Sequence, residues 1–136
     1  MARRRAARRR ALEILYQADA THRTPVQVLE ERRALGERVS AFTEELVTGA
    51  SERLGEIDRQ IGEHAIDWTV DRMAAVDRAI LRLAVYELLY RKDVPVAVAI
   101  DEAVRAAKRL STRESGGFVN GILGRIAISL GGSPAR

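Results

Sequence analysis

Apolar residues recur at steps of three and four through almost the whole chain, and only three prolines interrupt them. That spacing is the period of an amphipathic helix, and period-two alternation is scarce, so the chain is predicted to be all-α. A first helix is expected over 2–20. Thr24, Pro25 and Gln27 supply an N-cap, a proline at the first helical position and a glutamine able to close a capping box, so a short second helix should start there and end before Gly36. Val39, Phe42, Leu46, Val47, Ala50, Leu54, Ile57 and Ile61 describe one long amphipathic helix over 37–64, with Gly49 and Gly55 as points where it could bend. The stretch 70–90 carries Ile80, Leu81, Leu83, Ala84, Val85, Leu88 and Leu89 around much of its circumference, which marks it as the central helix. Asp93-Val94-Pro95 breaks the chain, because the residue before a proline is pushed out of the helical region. The next helix, 96–110, is expected to bury Ala99, Ile100, Ala103, Val104, Ala107 and Leu110 and to show Asp101, Arg105 and Lys108 to water, Asp101 and Arg105 forming a surface ion pair. A polar loop over 111–117 precedes a last stripe of Phe118, Val119, Ile122, Leu123, Ile126 and Leu130. The segment 131–136 is expected to be a disordered tail.

At 136 residues, 46% of them apolar, the chain has material for one compact domain with a core that needs no staple. There are no cysteines. A disulfide framework, a thiolate nucleophile and a cysteine-ligated metal are therefore excluded. No run approaches the ~18 apolar residues of a membrane span, and no apolar segment of a secretory signal follows the N-terminal charges, so a cytoplasmic protein with no membrane partner is expected.

The formal net charge of +4 conceals an asymmetry, since Arg3, Arg4, Arg5, Arg8, Arg9 and Arg10 fall in the first ten residues with no acid among them. The rest of the chain is faintly acidic. A basic head on such a body points to a polyanion bound locally. Of the 23 basic residues only Lys92 and Lys108 are lysine, and arginine's planar fork suits phosphate oxygens and bases. Arg4 and Arg8 fall on the same side of helix one as Leu12 and Leu15, so the first turns are expected to project beyond the body, fray alone, and order on RNA. The plainer alternative is a basic tail without a fixed partner.

Catalytic equipment is missing from the pattern. His22 and His64 lie in different elements with no serine or carboxylate at a diagnostic spacing, and no phosphate-binding glycine loop or nucleophile elbow occurs. No enzyme, metal or cofactor is expected.

Four blocks of the chain carry a resemblance. They are Arg8-Arg9-Arg10-Ala11-Leu12-Glu13-Ile14-Leu15-Tyr16-Gln17, then Val76-Asp77-Arg78-Ala79-Ile80-Leu81-Arg82-Leu83-Ala84-Val85-Tyr86-Glu87-Leu88, then Asp93-Val94-Pro95 with Ala99-Ile100-Asp101-Glu102-Ala103-Val104, and Phe118-Val119-Asn120-Gly121-Ile122-Leu123. In this order they resemble the signature blocks of the NusB family of transcription antitermination factors. The resemblance implies an all-α fold of about seven helices in two small stacked bundles: an arginine head over 1–10, an N-terminal sub-bundle over 11–66 and a C-terminal one over 67–130. It also implies binding of boxA RNA from ribosomal RNA operons, together with NusE, a ribosomal small-subunit protein, in the RNA polymerase elongation complex.

Carried over by position, the RNA surface would comprise the arginine head, Tyr16, Phe118 and Asn120, arginines meeting phosphates while a ring stacks a base and an amide reads its edge. Phe118 also extends a core stripe, and Tyr16 lies at the edge of the buried face, so packing is the alternative for each. The NusE surface would comprise Tyr86, Glu87, Asp101 and Glu102, against which stands a packed tyrosine with solvated acids. Asp101 stands where the family commonly has asparagine, and Gly116-Gly117 where it has bulkier polar residues. Two other classes fit a helical chain of this kind: a module related to the N-terminal domain of ribosomal RNA cytosine methyltransferases, and a protein–protein module with an incidental basic tail. A homodimer covering the head is also compatible with the sequence.

Overall fold

The computed structural model describes residues 2–131, and these fold into seven α-helices and one short 3-10 turn, with no strand among them. The helices are α1 (Ala2–Ala20), α2 (Pro25–Ala34), α3 (Ala41–Glu52), α4 (Leu54–His64), α5 (Ala75–Tyr90), α6 (Val96–Leu110) and α7 (Ser115–Ser129). Of the expected tail over 131–136, residues 132–136 lie outside the described residues.

Local chemistry places several ends where the spacing predicts. Thr24 caps α2 in a complete capping box, its hydroxyl accepting from the Gln27 amide while the Gln27 side chain accepts from the Thr24 amide. Central α5 buries ten of its residues from Asp77 to Leu88 and touches α1, α3, α4, α6 and α7, as its nearly all-round apolar surface requires. Helices α1, α2 and α3 pack mutually on one side, and α6 and α7 pack on each other on another. Helix α4 reaches across, touching α3, α5 and α7.

Three expectations are corrected. The single helix over 37–64 is two, because Ser40 caps α3 by accepting from the Thr43 amide, and Arg53, at φ −113° and ψ 17°, breaks the helix between Glu52 and Leu54. The bend is therefore at neither glycine. Gly49 instead lets α3 approach α5, since a Cβ there would overlap the Tyr86 ring. Second, the central helix begins at Ala75 rather than residue 70, preceded by the 3-10 turn Val70–Arg72. Arg78 holds that turn, its guanidinium donating to the carbonyls of Val70 and Met73 at 3.0 and 3.1 Å, so these backbone acceptors are satisfied without a helix. Third, α7 starts at Ser115, not Phe118, running through Gly116 and Gly117. There the buried Ser115 hydroxyl donates to the Asp77 carboxylate at 3.0 Å and ties the start of α7 to the first turn of α5.

Candidate nucleic-acid interface

The arginine head does not project from the body. Ala7 is buried, its carbonyl accepts from the Thr43 hydroxyl at 3.0 Å, and Arg8 is only 8% exposed. The apolar stripe of α1 continues as a cationic one that remains inside the fold because the body supplies counter-charges. Arg8 grips Glu87 of α5 with three hydrogen bonds of 2.8 to 3.1 Å, and Glu87 is 2% exposed. Such a fork-on-carboxylate pair satisfies both groups away from water.

The other arginines fan out around the helix. Arg4 reaches Asp93 at 3.2 Å and lies 4.5 Å from the centroid of the Phe42 ring, over which Arg8 and Arg91 also sit at 5.6 and 5.1 Å. Phe42 thus organises three guanidinium groups by cation–π attraction. Arg10 pairs with Glu37 in the α2–α3 connection. Arg5 makes a bidentate contact with Glu102 of α6, at 3.2 and 2.9 Å. Arg3 and Arg9 are exposed and form no ion pair among the described residues. Asp93 accepts from Arg91, and the Arg91 fork holds its carboxyl well below the usual carboxylate range, with Arg4 adding to the effect and desolvation opposing it.

Between α1, α5 and α6 runs a groove of about 390 Å³. Leu12, Ile80, Leu83, Ala84, Ala99 and Ala103 make an apolar floor, and Arg5, Arg9, Arg105, Lys108 and Arg109 stand at its rim. Glu87 and Glu102 line the same groove. At 100° per residue Arg5, Arg9, Leu12 and Tyr16 fall along one stripe of α1, so Tyr16, 42% exposed, prolongs the rim. Water-facing Asp101 pairs with Arg105 at 2.9 Å, the i,i+4 contact that the spacing predicts.

The remaining sites divide. Tyr86 is packed, stacked at a tilt on Tyr90 with centroids 5.6 Å apart, and burial pushes its phenol above the ordinary pKa. Glu87 is neither solvated nor open to a partner in this conformation, because Arg8 covers it. Phe118 is half-buried against the core and meets the exposed Trp68 edge-on, centroids 6.3 Å apart. Asn120 is exposed on the other side of α7, in a shallow depression with Ala97, Asp101, Val104, Lys108 and Gly116. The structure therefore does not bring Phe118 and Asn120 together, since residues two positions apart on a helix point about 200° apart around its axis.

Trp68, Phe42 and the α6 cations are absent from the site residues expected from the sequence, where Phe42 figured only in an apolar stripe and Arg105 and Lys108 only as a water-facing surface. The α6 row had a legible signal in the i, i+3, i+4 spacing of Arg105, Lys108 and Arg109. Trp68 beside Phe118 had none, the two being far apart in the chain.

A family model described as NusB family matches residues 5–128. The transcription antitermination protein NusB of Thermobifida fusca is 51% identical over 121 residues, which make up 88% of this chain and 85% of that protein. Among solved structures, T. maritima NusB matches with a TM-score of 0.82 and 40% identity over 97% of this chain and 94% of its own. A crystal structure of the antitermination factors NusB and NusE in complex with dsRNA matches with a TM-score of 0.81 and 29% identity, over 95% and 98%.

Proposed function

The chain belongs to the NusB family of transcription antitermination proteins, and on that premise we propose that it binds boxA-type RNA of ribosomal RNA operons jointly with NusE in the RNA polymerase elongation complex. The observation that carries this reading is the groove between α1, α5 and α6, which combines two surfaces of different chemistry. Its apolar floor on α5 and α6 suits a protein side chain, and this is where NusE would dock, next to Glu102. Its basic rim suits a phosphate backbone, with Arg9 exposed there without an ion pair among the described residues, and exposed Tyr16 would stack an unpaired base. Head and bundle then work as one unit in which the protein partner and RNA meet along a common edge. In this reading the protein is a cytoplasmic adaptor and catalyses no reaction.

The test is binding of a boxA-like single strand, a scrambled strand and a boxA duplex, with and without NusE. The duplex is included because the related NusB–NusE complex contains dsRNA. Preference for boxA that strengthens with NusE is the expected result. If about four cations meet phosphates, log affinity should fall with log salt at a slope near −3. Equal affinity for boxA and scrambled RNA in every arm would leave only non-specific polyanion binding.

A further inference from the structure

Lys108 stands out as one of only two lysines in the chain and as the residue shared by the two depressions described above. One is the groove rimmed by Arg5 and Arg9; the other holds Asn120 on α7. Its stem is laid across the start of α7 at Gly116. A Cβ added at Gly116 would come within 3.1 Å of Lys108 Cγ and 3.2 Å of its Cε, tighter than ordinary van der Waals contact. Gly116 itself is buried under this stem. The glycine thus gives the lysine a seat, and packing of the aliphatic stem limits where the ammonium goes. Lys108 forms no ion pair among the described residues, and its neighbour Arg109 likewise has none.

We propose that Lys108, seated on Gly116, is a phosphate contact that carries the RNA from the arginine head over the end of α6 to Asn120. The proposal rests on the RNA-binding reading above. Its physical content is a path: Arg9 on α1, then the ammonium of Lys108 at the crest between the depressions, then the Asn120 amide, which reads the edge of an unpaired base. The route crosses α6 and does not pass over the Trp68–Phe118 pair on the other side of α7. A compact point charge suits the crest, because it donates to a phosphate oxygen without demanding a planar fork geometry. A Cβ at residue 116 would push the lysine stem aside by a few tenths of an ångström.

The experiment measures affinity for a boxA-like single strand with NusE present, across a salt series, for wild type, Lys108→Gln, Lys108→Arg, Gly116→Ala, the Lys108→Gln/Gly116→Ala double variant and Arg9→Gln. Lys108→Gln should weaken binding about fivefold at low salt and flatten the salt slope by about 0.7, with helical content unchanged. Lys108→Arg should recover most of the loss. Gly116→Ala should weaken binding less than Lys108→Gln and add nothing in the double variant, as expected when one residue acts through another. Wild-type affinity and slope in Lys108→Gln, alongside a loss in Arg9→Gln, would overturn the path while leaving the RNA-binding reading standing. Additive losses in the double variant would overturn the role of Gly116 as the seat. Absence of boxA preference in the wild type overturns both readings together.

Discussion

At the start of α1, Arg4, Arg5, Arg8 and Arg10 each face a carboxylate of the body, whereas at the end of α6 Lys108 and Arg109 face none among the described residues. The first region has the greater density of positive charge in sequence, yet each leaves two cations without an ion pair among the described residues, Arg3 and Arg9 in the first and Lys108 and Arg109 in the second. Arg8 and Arg9 repeat the contrast within one turn. Arg8 is enclosed with Glu87, and Arg9 stands at the groove rim without an ion pair among the described residues. Charge that is neutralised internally builds the fold, and charge that is not can recruit a ligand. A run of arginines in a sequence does not distinguish the two.

The largest effect that would break this comparison lies at the buried pair. Glu87→Ala leaves Arg8 without its counter-charge, and denaturant unfolding should show a loss of about 3–5 kcal/mol. A variant as stable as wild type would mean that Arg8 relaxes into water and belongs with the available cations after all. Arg9→Gln sharpens the other side. Stability should stay within about 0.5 kcal/mol of wild type, while RNA affinity falls about tenfold at low salt and the salt slope flattens by about 0.7. Arg10→Gln, whose guanidinium is held by Glu37, should cost distinctly less affinity in the same titration. A smaller and opposite effect is expected at Glu102. Because its carboxylate occupies the Arg5 fork as a phosphate would, Glu102→Gln should tighten RNA binding about two- to fivefold, the range of an exposed ion pair.

The smallest effect concerns acid. The folded-state pKa of Asp93 is depressed, by the Arg91 fork first and Arg4 next, against an opposing desolvation. A depressed carboxyl contributes stability that is present above its unfolded pKa, about 3.9, and is lost as pH falls through the folded value. Wild type should therefore exceed Asp93→Asn in stability at neutral pH, and the gap should close on acidification below about pH 4. Thermal melts of the two proteins from pH 7 downwards measure this. A gap that widens in acid would show that Asp93 is not held by these cations.

Much of the helical order was legible because its causes are local. The capping box at Thr24, the break before Pro95 and the all-round apolar surface of α5 each arise from residues within a few positions of one another. The boundaries that differed share a different origin. Arg78 donates to the carbonyls of the 3-10 turn that precedes α5, and Ser115, at the start of α7, reaches Asp77, 38 residues away. In the candidate interface, Tyr16 was legible as a residue at the edge of the buried face of α1, and Arg9 only as one of six head arginines. Arg8 was not legible as a core residue, because its partner lies 79 residues further along the chain.

The sequence by itself determined a helical chain with a cationic leading segment, since helical period, caps and charge runs are short-range properties. Only the tertiary structure decided which of those cations remain free to meet a ligand. Whether an ionic side chain is paired depends on the residues that folding brings within about 4 Å of it, and in this molecule those residues come from helices distant in the sequence.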